Sequence, residues 1–438
     1  MTRPVPQPVR IYRVGGSVRD ELLGRPVRDQ DFVVVGATPE IMLASGFLPV
    51  GKDFPVFLHP ETREEYALAR TERKHGRGYR GFQFFATPEV TLEDDLARRD
   101  LTINAMARAP DGRLVDPYGG EADLRAGVLR HVSPSFAEDP LRVLRVARFA
   151  ARFGFRIAQE TLALMRAIVR AGELETIAPE RVWQEVATGL TETQPSLMLA
   201  ALRACGALRA LLPEVDALYA TPVATRGLRR DNAGAFTARA LDRVAAQSAT
   251  LPARYAVLTQ ELDRVGDGGS DGRKGIARAE ALSKRLKVPL DCRDAARLAV
   301  RWHRTLLDVE ALPPARILDM LIAIDALRRP ERLDTLATAA AAHEAARDAR
   351  QAAAPGTAGA PVRDPRVALL REALRIVRRV DAATIARDAI ERAARPDAKR
   401  AGATQGDAIA SALRAARIAA LRDWKRRPGG NPKSGSGT

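Results

Sequence analysis

The chain has 438 residues, of which 46% are hydrophobic, and 70 Lys and Arg stand against 54 Asp and Glu for a net charge of +16. That length exceeds what one compact core holds and implies roughly three domains, while two cysteines, Cys205 and Cys292, exclude a disulfide framework or a Cys-rich metal site and read as buried thiols. No apolar leader core and no apolar run long enough to span a bilayer occurs, so a cytoplasmic protein is expected, with no membrane association. The basic charge points to a polyanionic partner, although Arg in an Ala-rich sequence also fits a coding bias.

Residues 10–131 alternate short β-like runs with helices. Arg10–Val14, Phe32–Val35, Val56–Leu58 and Glu64–Arg70 read as strands, punctuated by Gly and Pro. From Asp139 the pattern turns helical and stays so to about residue 346. The predicted fold class is α+β: an N-terminal head of mixed sheet with helices, followed by an all-α neck, body and tail. The expected divisions are a head at 1–131, a neck at 132–220, a body at 221–346, a tail at 347–425 and a disordered end at 426–438. The Gly/Asp-rich segment 266–272 interrupts the body, and the Ala/Pro/Gly stretch 352–361 reads as a linker.

Three features of the head carry chemistry. The first strand runs into Gly15-Gly16-Ser17 and then Val18-Arg19-Asp20, a turn that opens a helix whose free N–H groups suit phosphate; a plain turn reads the same way. Asp29-Gln30-Asp31 leads into Phe32–Val35, and alternate strand residues face one side, so both carboxylates can converge on one point and would repel without a cation. Mg²⁺ suits such a site, because it prefers oxygen donors and takes one or two carboxylates beside substrate phosphates; a solvated strand end is the other reading. A Gly-Gly turn followed by Asp-x-Asp is the layout of metal-assisted nucleotidyl transfer. Glu65 is a candidate third carboxylate and equally an ordinary exposed strand residue. Thr91 and Asp94 then read as a capping box opening a helix that leads to Arg98-Arg99-Asp100 and Asn104, a set suited either to a triphosphate or to local ion pairing.

The segment Glu138-Asp139-Pro140-Leu141-Arg142 reads as the start of a helix with Asp139 as its N-cap and Pro140 as its first residue. At about 100° per residue, Arg142, Arg145, Arg148, Arg152 and Arg156 fall within roughly one third of the circumference, opposite an apolar face of Val143, Val146, Ala147, Ala150 and Ala151. With no acid on that face, the arginines are expected to repel one another unless a polyanion lies there. Asp139 beside Arg142 pairs an acceptor with a donor. Cytosine and adenine both present an amino donor beside a ring-nitrogen acceptor, whereas guanine and uracil present a carbonyl beside a ring N–H, so this pair is expected to take C and A and to reject G and U.

In this order, Gly15-Gly16-Ser17 with Arg19, Asp29-Gln30-Asp31, Arg98-Arg99-Asp100 with Asn104, and Glu138-Asp139-Pro140-Leu141-Arg142 resemble the motifs of bacterial class II CCA-adding enzymes, tRNA nucleotidyltransferases of the DNA polymerase beta-like superfamily. The resemblance is dense over about residues 10–220. It implies untemplated addition of C, C and A to the tRNA 3′ end from CTP and ATP with release of pyrophosphate, and in some members a repeated CCA on unstable tRNAs. It implies Mg²⁺ on Asp29 and Asp31, nucleotide contacts from Gly16, Arg19, Arg99, Arg145 and Arg148, and base reading by Asp139 and Arg142. Segment 70–82 resembles the flexible loop that switches C to A addition. The implied partners are tRNA, ATP and CTP, with no obligate protein partner indicated. A poly(A) polymerase, which shares the head motifs, and a silent tRNA-binding protein are the rival readings.

The body departs from many relatives, which carry a His-Asp phosphohydrolase motif. Gln260 and Glu261 stand where His and Asp are expected, and of five histidines only His303 lies between residues 206 and 310. A His-built metal site is therefore not expected there, and neither is phosphohydrolase activity.

Overall fold

The computed structural model describes residues 9–27, 29–50, 56–74, 82–223, 231–266, 272–347, 365–393 and 404–426. The 352–361 linker, nearly all of the C-terminal end, and residues 75–81 of the loop-like segment lie outside these described residues. Two compact units form, Met1–Pro213 and Glu214–Thr438. Among the described residues no helix is long and apolar enough to cross a membrane.

The first unit is built on a mixed sheet. Its strands are β1 (Arg10–Val14), β2 (Asp31–Val35), β3 (Leu48–Val50), β4 (Val56–Leu58), β5 (Glu65–Leu68), β8 (Ala107–Arg108) and β9 (Leu114–Val115), in the spatial order β3-β4-β5-β2-β1-β8-β9; β6 (Thr71–Lys74) and β7 (Phe82–Phe85) pair separately. Within this sheet, among the described residues, β2 and β5 are the one parallel pair. The period of two explains the two-sided burial. Tyr12, Val14, Val33 and Val35 face a cluster with Leu92 and Leu96, while Val34, Leu68 and Phe57 face another with Met42. Helix α3 (Leu92–Ala97) covers the first face and α2 (Pro39–Ala44) the second, while α1 (Gly16–Leu22) follows β1. The capping box at the start of α3 forms as expected, with the Thr91 hydroxyl accepting from the Asp94 N–H and the Asp94 carboxylate accepting from the Thr91 N–H.

After α4 (Gly120–Ala126) the chain is helical: α5 (Leu141–Phe153), α6 (Gln159–Arg170), α7 (Pro179–Thr191) and α8 (Pro195–Cys205). The apolar face of α5, with Val143, Val146, Ala147, Ala150 and Ala151 all buried, packs on α7 and α8. Helix α5 starts one residue later than expected, with Pro140 and not Asp139 at its N-cap, while Asp139 Oδ1 accepts from the Leu141 N–H at 3.0 Å. It also ends sooner. Gly154 takes the left-handed conformation at φ +73° and closes the helix, so Arg156 stands on a two-residue strand and not on the arginine face.

The second unit is all helix apart from one two-residue ladder among its described residues. At its centre lies Leu251–Thr259, in which every residue from Ala253 to Thr259 is buried, packed on Leu290–Leu307 and Pro330–Arg347. A helix surrounded on all sides has no reason to be amphipathic. Both cysteines are buried thiols.

Candidate active site

Strand β1 delivers the chain to Gly15, whose backbone is left-handed at φ +71° and whose missing Cβ would lie 2.8 Å from Arg99 Nη1. Any side chain here would therefore strain the turn and displace Arg99. The next turn buries Arg19, which donates through Nη1 to Asn104 Oδ1 at 2.5 Å and through Nε to Asp20 Oδ1 at 2.8 Å, with its guanidinium 4.9 Å from the centre of the Phe153 ring. Asp20 Oδ2 in turn accepts from Arg152 of α5 at 3.1 Å, which ties α1 to the arginine face.

Asp31 opens β2, opposite Val14 of β1 on one side and Glu65 of β5 on the other, so the strand ends gather the sequence-predicted acids. Partial burial, and then the neighbouring Asp29 charge, hold the Asp31 carboxyl above the ordinary aspartate range against the pull of Arg99. The neighbouring acids, an all-oxygen donor set, fit a hard divalent cation. All three acids are exposed; Asp31 lines the cavity described below, and Asp29 and Glu65 are not among its lining residues.

The arginine face differs from expectation in one physical respect: its charges are compensated by acids from other elements. Arg145 donates through Nε and Nη2 to Asp100 Oδ2 at 2.8 and 2.7 Å, Arg148 through Nε to Glu185 Oε2 of α7 at 2.6 Å, and Arg152 to Asp20. Arg142 donates to the carbonyls of Ser135 at 2.9 Å and Arg98 at 2.6 Å. No polyanion is needed to hold these side chains together; they are set in place beforehand. Buried Asp100 is the hub. Burial opposes its ionisation, but Arg145, the Asn104 amide and Arg142 outweigh that and hold it at about 2. Asp95, fully buried beneath Arg98 and Arg99, accepts from both, at 2.5 Å from Arg98 Nη2 and 3.1 Å from Arg99 Nη2.

These groups enclose a cavity of about 480 Å³ with nine arginines and three aspartates among its lining residues. Gly16, Arg19, Asp31, Arg99, Asp139, Arg142, Arg145 and Arg148, all expected from the sequence, line it. Glu185 and Arg181 were not expected. They stand one turn apart on α7, Glu185 holding Arg148 and Arg181 donating to Asp139 Oδ2 at 3.2 Å. Their i, i+4 spacing is the only signal the sequence carries for them. An open, strongly cationic cavity with fixed guanidinium forks and an acid pair at its edge has the chemistry to grip a nucleoside triphosphate.

In the second unit, among its described residues, one group of potential ligands forms, with a single histidine in it. Glu261, Asp263 and His303 bring one potential ligand atom each to within 4.8 Å of one another, and His343 Nδ1 lies 3.5 Å from Glu261 Oε1.

Comparison with known proteins agrees with this geometry. The poly A polymerase head domain family matches residues 11–130, and the family described as the probable RNA and SrmB-binding site of polymerase A matches residues 154–219. The multifunctional CCA protein of Aromatoleum aromaticum is 53% identical over 397 residues, covering 89% of this chain and 95% of its own. That of Nitrosomonas europaea is 51% identical, covering 86% and 91%. Among solved structures, the Bacillus stearothermophilus CCA-adding enzyme in complex with CTP superposes with a TM-score of 0.62 at 24% identity, over 95% of this chain and 93% of its own, a likeness of fold. By its sequence relatives, the chain belongs to the family of the multifunctional CCA proteins and is a CCA-adding nucleotidyltransferase.

Proposed function

We propose that the chain builds and repairs the 3′-terminal CCA of tRNA from CTP and ATP in the cytoplasm, without a template and with release of pyrophosphate. The observation that carries this reading is the cavity lined by Asp31 and by pre-set guanidinium groups from α1, the segment after α3, and α5. Asp29 and Asp31 would hold Mg²⁺, with Glu65 on the adjoining strand as the supporting acid. Bound there, the ion supplies activation of the tRNA 3′-hydroxyl and neutralises charge on the α-phosphate. Gly16 leaves room for the triphosphate, and Arg19, Arg99, Arg145 and Arg148 bind its oxygens. Asp139 and Arg142 read the base edge: both Asp139 oxygens already accept one hydrogen bond, from Leu141 and from Arg181, and each retains a second lone pair for an exocyclic amino group. Because Glu185 and Asp100 fix two arginines through one edge each, little ordering remains to be done when the nucleotide enters.

The curated relatives bear the name CCA protein at about half identity over most of their length, which favours CCA addition over a poly(A) polymerase or a silent binder. The sequence divisions into head, neck, body and tail are kept as the working division of labour, with tRNA held by the helical regions. No phosphohydrolase activity is expected of the body, where Gln260 and Glu261 replace the His-Asp pair and are fully enclosed. The test is Asp29→Ala with Asp31→Ala. Nucleotide addition should fall by about 1,000-fold or more, the several kcal/mol that a Lewis-acid metal supplies, with tRNA affinity nearly unchanged. Retained addition excludes the proposed metal site.

A further inference from the structure

Helix α5 carries two phenylalanines that do not belong to its apolar face. At about 100° per residue, Phe149 falls between Arg145 and Arg142 around the helix, inside the arginine stripe, and Phe153 falls at the edge of that stripe. The two rings stack on each other, with centres 5.9 Å apart and planes 10° apart. Phe149 is among the residues that line the open cavity, yet only 4% of it is exposed. Guanidinium groups cover it: the central carbon of Arg148 lies 4.5 Å from the ring centre, that of Arg19 5.4 Å and that of Arg145 5.7 Å. Phe153 takes Arg19 at 4.9 Å, Arg25 at 4.9 Å and Arg152 at 5.2 Å. Five arginines thus converge on two stacked rings, and Arg19 of α1 sits over both.

A guanidinium has two kinds of surface. Its edges carry the N–H donors, and its planes are weakly hydrated and stack on aromatic faces. Here the protein takes part of each edge: Asp100 accepts from Nε and Nη2 of Arg145, Glu185 from Nε of Arg148, and Asn104 and Asp20 from Nη1 and Nε of Arg19. A carboxylate on every remaining edge would hold these side chains still, but it would compete with phosphate for the same donors. An aromatic ring does not compete. Its face is negative, attracts a cation within about 6 Å of its centre and takes no N–H from the edge. A leucine of similar volume would instead set an aliphatic surface under three guanidinium groups, which removes water from their planes and returns no attraction. The ring also offsets some of the repulsion among cations that stand on one helix face before any anion arrives.

We propose that Phe149, backed by Phe153, is a positioning residue for the triphosphate, given that Arg19, Arg145 and Arg148 bind it as proposed above. The ring holds the planes of these three arginines by cation–π contact and leaves their remaining N–H edges to the phosphate oxygens. Acting through the arginines, it sets nucleotide affinity and has no part in base choice, which belongs to Asp139 and Arg142. Pyrophosphate, gripped by the same guanidinium groups, responds in step. Phe153 matters less, because of the three cations over it Arg19 alone belongs to the triphosphate set.

The test places mono-, tri- and pentafluorinated phenylalanine at position 149 of the full chain, beside Phe149→Leu. Fluorine drains the negative face of the ring and nearly preserves its size, so the packing stays while the cation contact weakens in steps. KM for CTP and for ATP should rise with each step, to about 10-fold for the pentafluorinated ring and for Phe149→Leu. Both kcat and selection against GTP and UTP should hold, and the pyrophosphate concentration that halves the rate should rise by the same factor. The fluorinated series at position 153 should move KM by about 3-fold. Where Phe149→Leu fails to fold, the fluorinated rings still decide. A KM flat across the series at position 149, with Arg145→Ala and Arg148→Ala each raising it, would overturn the positioning role and keep the nucleotide site. A KM indifferent to the two arginine substitutions as well would overturn both. A rise in KM with unchanged pyrophosphate inhibition would place the effect at the nucleoside and overturn the role proposed.

Discussion

In the first unit Arg145, Arg148 and Arg152 commit one edge of each guanidinium to a carboxylate and remain at the wall of an open cavity of about 480 Å³. In the second unit Arg264 and Arg304 cap the outer oxygens of two carboxylates whose inner oxygens face imidazoles, and every inner group is buried. The same residue types thus serve two ends. Anchored at one edge and open at the other, they make a receptor for a polyanion; turned outward around a buried acid pair, they leave an interior charge to be balanced from within. The difference lies in which side of the ion pair faces solvent, and the sequence does not show that directly.

The comparison breaks most severely at the hub. Asp100→Ala strips Arg145 and Asn104 of their buried partner and should destabilise the first unit by about 3–5 kcal/mol, measured by denaturant unfolding. Its pH dependence has a definite sign. The folded carboxyl sits at about 2 against roughly 3.9 in the unfolded chain, so its stabilisation of about 2–3 kcal/mol is complete above the unfolded value and is lost as pH falls towards the folded one. Asp100→Asn should flatten that acid limb; an unchanged limb would mean the hub does not ionise as described.

Base reading comes next. Asp139→Ala removes the acceptor from the proposed pair and should lower the discrimination of CTP and ATP against GTP and UTP by about 30-fold, or about 2 kcal/mol. Single-nucleotide incorporation kinetics check it, and unchanged selectivity would place base reading elsewhere. A smaller effect is expected from Glu185→Ala, which leaves Arg148 in place but unguided: KM for both nucleotides should rise by about 5-fold, with kcat changing less, as befits one lost ion pair of about 1 kcal/mol. A loss confined to kcat would show that Glu185 acts in the chemical step. Last, Thr91→Ala should cost about 1 kcal/mol of stability through the lost cap of α3 and leave nucleotide kinetics unaltered, separating the support of the cavity from its wall.

Local signals explain what was legible beforehand. The strands Arg10–Val14 and Val56–Leu58 and the Thr91 capping box depend on neighbours within a few residues, and eight of the cavity residues follow from ordered motifs. Arg156 was misplaced because a face drawn at helical spacing ignores where the helix stops, and Gly154 stops it. Compensation of the arginine face was missed because its acids come from α1, the segment after α3, and α7, up to 132 residues away in the chain. His343 was missed for the same reason: it meets Glu261 across two packed helices, and no spacing rule reaches that far.

The most direct measurement incubates the purified chain and Mg²⁺ with tRNA that ends at its discriminator base, offers each nucleoside triphosphate singly and then CTP with ATP, and sequences the 3′ ends. Ends that stop at CCA with the two nucleotides together, and at CC with CTP alone, are the expected result. Long A tracts from ATP alone, or no extension at all, would contradict it.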